Sequence, residues 1–411
     1  MKDSPNTPLL TSLSRTIEAL AHGDDASPQD KLLHNILMTL ERNRPSLEWL
    51  LKSRCRGKVK PTTRNVLLWA LVEILKMGGV PAPAVVDTAV SYIKRRHSAS
   101  EANFVNAVLR GICRDCAAGE TALFEKAPPA IRANLPAEFW ERWLAQFGTQ
   151  EAERLATILQ VPAQVVLRLR QWPELAQELP TDLLPFPAPD WAPNARLFTP
   201  APELKSLDSI MARGDFYIQD PSTLLAPTLL AAKPGETIAD LCCAPGGKSR
   251  CLAEAMRGEG TLLCTDIAPN KLARVRQNLA PFPNVQLQTL DAASDPLPKD
   301  RFHAILLDVP CSNSGVIRRR PDVRSNFSLD KLQELLSLQS QILDNAATAV
   351  RPAGRLVYST CSIETDENQH QVQAFLERHP NWSLVSQRTI LPDNSHDGSF
   401  AALLSRRESF S

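Results

Sequence analysis

At 411 residues the chain is too long for one compact core, so two or three domains are expected. Its 43% hydrophobic and 22% charged residues describe an ordinary soluble protein and exclude a disordered one. The net charge of +1 announces no polyanionic partner, so any nucleic-acid surface must be local.

The apolar runs are too short for a membrane span, and the opening MKDSPNTPLL lacks the basic-then-apolar layout of a signal peptide. The nine cysteines are odd in number and scattered, which points to a reducing compartment and a cytoplasmic location. Cys113-x-x-Cys116 has no second pair to complete a metal site, so no metal is expected. A monomer without membrane contact is the expected state.

In chain order, residues 1 to about 125 read as a helical bundle. In 64-RNVLLWALVEILKMGGVPAPAVVDTAVSYIKRR-96 apolar residues recur at three- and four-residue spacing, broken by GGVPAP, and 101-EANFVNAVLRGICRD-115 repeats the pattern. Residues 126–214 read as a proline-rich linker leading into a small α/β module. That module holds a helix at 137–148, a second helix, a strand at 164–170 and extended connections over 172–202. From about 215 to 411 strands and helices alternate. Strands are expected at 237–242, 260–267, 285–290, 303–309 and 354–360, with helices at 269–280 and 329–350 between them. That alternation is the signature of a parallel, doubly wound, Rossmann-like sheet, whose ligands bind at the carboxyl ends of the strands.

Several acids and two cysteines fall at those ends. In 240-DLCCAPGGKS-249 a strand meets a helix through a Pro-Gly-Gly turn formed by Cys242, Cys243, Ala244, Pro245, Gly246, Gly247 and Lys248. Its glycines permit close backbone approach, and the positive end of the following helix suits an anion. The spacing fits neither a P-loop nor G-x-G-x-x-G, which argues against a nucleoside triphosphate or NAD. Asp266 ends the second strand, where an acid bonds ribose hydroxyls, and Asp291 follows the third, placed to accept from an adenine amino group. A nucleoside carrying an amino-acid carboxylate fits, and the cofactor implied is S-adenosylmethionine.

Cys311, in 308-DVPCSNSGV-316, and Cys361, in 354-GRLVYSTCS-362, are each delivered to a strand end beside this turn. Cys242, Cys243, Cys251 and Cys264 lie inside apolar runs and read as buried hydrophobes. Two presented thiols suggest covalent catalysis on an electrophilic carbon, such as C6 of a pyrimidine whose C5 is to be methylated. Asp308 is placed to serve N3 of the base, given a pKa raised by burial. The run 317-IRRRPDVR-324, with Arg318, Arg319 and Arg320, reads as a phosphate clamp. A second basic concentration spans Arg54, Arg56, Lys58, Lys60 and Arg64 with Lys94, Arg95 and Arg96. Because a base must leave its stack to meet a thiol, looped or single-stranded RNA is the easier target.

These residues carry a family resemblance. DLCCAPGGKS, TDIAPNKLARV, LLDVPCSNSGVIRRRPD and LVYSTCSIETDENQ resemble the successive motifs of the RNA 5-methylcytosine methyltransferases of the Sun/RsmB group. The helical region, with 85-VVDTAV-90 and 104-FVNAVLRG-111, resembles the NusB-type RNA-binding domain. The resemblance implies methylation of cytosine C5 in RNA, with 16S rRNA as partner. It makes Cys361 the nucleophile and Cys311 the group that assists product release. It places the cofactor on Cys242 to Lys248, Asp266, Asp291 and Asp308. The chain departs from the family pattern at Cys243 for an alanine, at Arg170 for an asparagine, and in 397-DGSF-400, where Ser399 replaces a phenylalanine. Two alternatives of other kinds are the same chemistry on tRNA or 23S rRNA, and an inert RNA-binding scaffold. A DNA cytosine methyltransferase would use the Pro-Cys cysteine and lack the Thr-Cys one, so Cys361 counts against it.

Overall fold

Three- and four-residue apolar spacing in the first part of the chain produces helices at Thr7–His22, Lys31–Arg54, Pro61–Leu71, Ala82–Arg96 and Ala99–Cys116. The computed structural model describes residues 7–22, 30–117, 119–172 and 178–408. The buried faces of these helices meet in one core that includes Leu40, Leu47, Val66, Trp69, Val85, Ile93, Val105 and Leu109. The GGVPAP break is where expected: Gly78 takes φ 63°, and Pro81 precedes the next helix. Ser98 caps the helix after that, its hydroxyl accepting from the Glu101 N–H at 3.2 Å. Cys113 and Cys116 pack against the shared core as ordinary side chains.

A further helix, Ala137–Ile158, bends at Gly148 (φ 76°, ψ 171°), which divides it into the two segments expected there. Together these helices make one compact unit, Met1–Gln160 with Arg324–Asn326, and the remainder of the chain makes a second. The bent helix therefore belongs with the helical unit, and the division falls at residue 160 rather than 125.

The second unit holds two sheets. The smaller consists of β1 (Leu167–Leu169), β2 (Leu183–Phe186), β3 (Leu197–Pro200) and β4 (Phe216–Ile218), all antiparallel, in the order β2-β3-β1-β4. The many prolines of this region are compatible with strands because Pro185 lies on edge strand β2 and Pro200 ends β3. Residues 173–177 of the expected extended connection lie outside the described residues.

The larger sheet contains β5 (Thr237–Asp240), β6 (Thr261–Asp266), β7 (Val285–Thr289), β8 (Phe302–Asp308), β9 (Val350–Thr360), β10 (Trp382–Ile390) and β11 (Ser399–Arg406). Its order is β10-β11-β9-β8-β5-β6-β7. The five expected strands, β5 to β9, pair in parallel, while β11 and β10 add an antiparallel edge that was not foreseen. Helices Leu329–Ala349 and Gln369–Arg378 cover one face through Ile342, Leu343, Val372 and Phe375. Helices Gly247–Met256 and Pro269–Leu279 cover the other through Leu252, Met256, Leu272 and Val275.

The strand order reverses between β5 and β8, which opens a crevice at their carboxyl ends. Asp240 ends β5 and Asp308 ends β8, so the two acids flank that crevice. No helix among the described residues is long and apolar enough to cross a membrane.

Candidate active site

The crevice is a cleft of about 790 Å³ lined by Asp240, Cys242 to Pro245, Gly247, Lys248, Asp308 and Cys361, among others. Gly246 has φ 102°, a left-handed conformation that side chains disfavour, and its N–H closes the turn onto the Cys243 carbonyl at 2.7 Å. Gly247 is constrained by space instead, since a Cβ there would stand 3.0 Å from the Tyr217 ring.

Four carboxylates surround the turn. Asp240 is buried, and its Oδ2 accepts from the Ser249 hydroxyl at 2.6 Å. Burial pushes its carboxyl up to about 7; the Ser249 hydroxyl works against that rise and the charge of Asp308 adds to it. Asp266 Oδ1 accepts from the Ala268 N–H at 3.0 Å, and Asp291 accepts from the Ala293 N–H at 2.9 Å and the Ser294 hydroxyl at 2.8 Å. Burial, and then the charges of Asp240, Asp308, Asp266 and Asp291, raise the Cys242 thiol far above its ordinary value. Of the four acids, Asp240 and Asp308 line the cleft itself. Cys242 stays protonated there and has no nucleophilic role.

Asp308 accepts at both oxygens, from Lys248 Nζ at 2.6 Å and from the Ser359 hydroxyl at 3.0 Å. Burial alone would lower the Lys248 ammonium, but Asp308 outweighs it, so the lysine is held above its usual range. Both Asp308 oxygens are thus engaged as acceptors, and Lys248 presents the charged donor of the pair.

The two cysteine sulfurs lie 3.2 Å apart. Cys361 opens onto the cleft, while Cys311 is buried behind it. Cys361 Sγ is also 3.0 Å from Asn313 Oδ1, and the Asn313 amide donates to the Cys311 carbonyl at 2.9 Å. Asn313 takes φ 60°, a left-handed conformation that asparagine tolerates because its short side chain bonds locally. The hydrogen bond to Cys361, followed by burial, pushes the Cys311 thiol well above its ordinary range.

The arginine run is not an open clamp. Arg318 is buried and ion-paired to Asp397, with a second bond to the Asp393 carbonyl at 2.7 Å. Arg319 bridges Asp397 and Asp220, the latter at 2.8 Å. Burial would raise Asp220, but Arg319, the Ser222 hydroxyl and two backbone amides hold it below the ordinary carboxylate range. Arg320 pairs with Asp322 at 3.0 Å and keeps an exposed side chain at the cleft. Arg318 and Arg319 therefore brace the loops around the site, Arg318 from within the core and Arg319 at the wall of the cleft. In the helical unit, Arg54, Lys60 and Arg64 pair with Asp115, Glu101 and Glu48, whereas Arg56, Lys58 and Lys94 to Arg96 are exposed.

Comparison with known proteins fits this geometry. A family model described as "16S rRNA methyltransferase RsmB/F" matches residues 227–404, and one for the NusB family matches residues 6–114. The ribosomal RNA small subunit methyltransferase B of Xanthomonas campestris is 33% identical, spanning 86% of this chain and 81% of that protein. Its counterpart of the same name in Salmonella arizonae is 31% identical, spanning 92% and 89%. This chain belongs to the ribosomal RNA small subunit methyltransferase B family. A solved methyltransferase homologue from Pyrococcus horikoshii is 27% identical, with a TM-score of 0.59, over 67% of this chain and 97% of that one.

As an RsmB/F-family methyltransferase, the chain uses S-adenosylmethionine, and the residues present fit that cofactor. Asp240 Oδ1 is buried at the cleft without a hydrogen-bond partner among the described residues, an acceptor suited to an ammonium group. Asp266 ends β6 and Asp291 follows the neighbouring β7, suited to ribose and adenine donors. Of the departures from the RsmB pattern, the side chains of Cys243 and Ser399 find partners, whereas the Arg170 Nε is buried with no hydrogen-bond partner among the described residues. Cys243 packs into the core beneath the turn, the Arg170 N–H donates to the Asp215 carbonyl at 2.8 Å, and the Ser399 hydroxyl donates to the Thr360 carbonyl at 3.3 Å.

Sequence reasoning passed over Asn313, Ser359, Glu367 and the pair Asp220 and Asp397. Asn313 and Ser359 stood two residues from the cysteines in PCSN and STCS, so a search of those motifs for hydrogen-bonding neighbours would have found them. Asp397 opens the quoted motif 397-DGSF-400, but its bond to the arginine run had no local signal, and Asp220 gave none at all.

Proposed function

We propose that this chain methylates cytosine C5 in 16S rRNA, in the cytosol, through a covalent Cys361–C6 adduct whose breakdown Cys311 assists. The observation that carries the reading is the pair of thiols 3.2 Å apart, one open to the cofactor cleft and one behind it. Cytosine C5 is a weak nucleophile until a thiolate adds to C6, which turns the ring into an enamine. S-adenosylmethionine supplies the electrophilic methyl group when bound. Cys361 is the thiol with access to a base in the cleft. Cys311, 3.2 Å from the Cys361 sulfur, is placed to donate its S–H to that sulfur both on attack and on departure. Lys248, protonated through its pairing with Asp308, offers a hydrogen-bond donor to the ring as charge builds there. The 16S substrate is supported by the names of the relatives and by the NusB-type domain ahead of the catalytic sheet.

Incubation with methyl-labelled S-adenosylmethionine and unmodified 16S rRNA, followed by base mapping, is expected to yield 5-methylcytosine. Label at adenine or guanine, or label confined to tRNA or 23S rRNA, would contradict the reading. Cys361→Ala is expected to abolish both turnover and any protein–RNA adduct on denaturing gels. Cys311→Ala should instead accumulate the adduct, because attack proceeds while release stalls. An exchange of these two phenotypes would reverse the assignment.

A further inference from the structure

Glu367 is fully buried behind the two cysteines and touches neither sulfur. Its carboxylate takes four hydrogen bonds. The Ser312 N–H reaches Oε1 at 2.8 Å and the Gln339 amide reaches the same oxygen at 3.0 Å. The Ser312 and Ser362 hydroxyls both donate to Oε2. Ser312 follows Cys311 and Ser362 follows Cys361, so one carboxylate grips the loops that end β8 and β9. Gln339 extends the grip by donating to the Pro310 carbonyl at 2.9 Å, and the Tyr358 hydroxyl of β9 donates to the Glu367 carbonyl at 2.7 Å.

None of the four donors is charged. A buried carboxylate is costly to desolvate, and here that cost is met by neutral donors alone. Joining two loops could be done by apolar packing, which fixes position far less tightly than a fully satisfied polar network. The two oxygens take four donors that arrive from three separate segments, so one side chain ties all three together.

We propose that Glu367 is a positioning residue that sets the separation and orientation of the Cys311 and Cys361 thiols. Its catalytic consequence rests on the cysteine-adduct reading above; its geometric consequence does not. Two measurements on the full-length protein separate them. The first is the rate at which diamide, which takes one hydrogen atom from each thiol, joins Cys311 to Cys361, followed by peptide mass spectrometry. The second is single-turnover methyl transfer, with S-adenosylmethionine affinity and the RNA KM measured alongside.

Glu367→Ala is expected to slow the Cys311–Cys361 cross-link at least about tenfold and methyl transfer about a hundredfold, with cofactor affinity and RNA KM unchanged. Glu367→Gln should recover most of both rates, because its oxygen still accepts from the Ser312 N–H and both serine hydroxyls can turn to accept. Cross-linking at the wild-type rate in Glu367→Ala overturns the proposal, as does a loss of cofactor binding in step with methyl transfer. If Glu367→Ala does not fold, the Ser312→Ala/Ser362→Ala double variant takes its place, with the same slowing expected and a wild-type cross-linking rate equally fatal. A wild-type protein that methylates no cytosine, yet cross-links in a Glu367-dependent way, would sink the proposed reaction and leave the positioning role standing.

Discussion

Asp240 is the residue at which folding and cofactor binding conflict. Burial pushes its carboxyl up to about 7, against an ordinary value near 3.9. A folded-state pKa above the unfolded one means that the folded protein holds the proton more tightly. The stability tied to this group is therefore complete below about pH 4 and is lost as the pH rises through 7, on the order of 4 kcal/mol in all. Asp240→Asn removes the ionisation while the side-chain oxygen still accepts from Ser249. The cofactor-free variant is expected to outlast wild type in urea at pH 8 and to show a smaller fall in midpoint between pH 4 and 7. Its S-adenosylmethionine affinity should drop at least about tenfold, since a charge-assisted acceptor is gone. An unchanged pH profile of the urea midpoint would refute this account. Residues like Asp240, Asp308, Cys311 and Cys361 were legible in the sequence because each ends an apolar run, and the end of a run is the edge of a sheet. Arg318 was not legible for its true role. A run of arginines displays its charge, but the carboxylate that cancels it, Asp397, lies 79 residues away in sequence. Glu367 was hidden differently: it stands in the motif LVYSTCSIETDENQ with two other acids, and nothing in the string tells which of the three turn inward.

At the scale of elements, the site depends on three loops meeting backbone to backbone. The Gly315 N–H donates to the Cys361 carbonyl at 3.0 Å, and the Gly398 N–H donates to the Gly315 carbonyl at 2.8 Å. A Cβ on Gly315 would stand 2.7 Å from the Cys361 carbonyl oxygen and 2.8 Å from Gly398 Cα. Neither neighbour is a flexible side chain, so the strain must move backbone, and the backbone in question carries Cys361. Gly315→Ala is expected to cost about 1–3 kcal/mol in urea denaturation, the usual range for overpacking. It should also slow single-turnover methyl transfer at least about tenfold through displacement of the thiol. Full activity at unchanged stability would show that the loops are looser than this contact implies. The parallel strands β5, β6, β8 and β9 were readable from their apolar runs, as strands buried on both faces should be, while β7 (VQLQT) at the sheet edge was readable from alternation. The antiparallel edge was not. β10 buries only its ends, Trp382 and Ile390 among them, and β11 is built from Ala and Leu, which favour helices over strands.

At the scale of the second unit, its two sheets are joined by a buried ionic cluster. Arg168 of β1 donates to Glu254 on helix Gly247–Met256 at 2.7 and 3.0 Å, and to Gln219 at 2.7 Å. Glu254 also accepts from the Gln171 N–H at 3.0 Å and from Arg250 at 3.3 Å. The helix that Glu254 anchors is the one that begins at the cofactor turn, so the small sheet braces the cofactor turn from behind. Sequence could place the small module between the helical region and the catalytic sheet, but not this bond, which spans 86 residues and whose members look like surface charges. Removing one partner of a buried pair costs about 3–5 kcal/mol, because the charge left behind has neither water nor a counterion. The two removals are not equivalent here. Arg168→Met leaves Glu254 with Arg250 and a backbone donor, whereas Glu254→Met strands two buried guanidinium groups at once. Urea denaturation is therefore expected to place Arg168→Met near the lower end of that range and Glu254→Met at or beyond the upper end. Hydrogen exchange in the first turn of helix Gly247–Met256 should accelerate in both variants, and more in Glu254→Met. Equal losses, or the reverse order, would mean that Arg250 is carried by other partners and that Glu254 serves Arg168 alone.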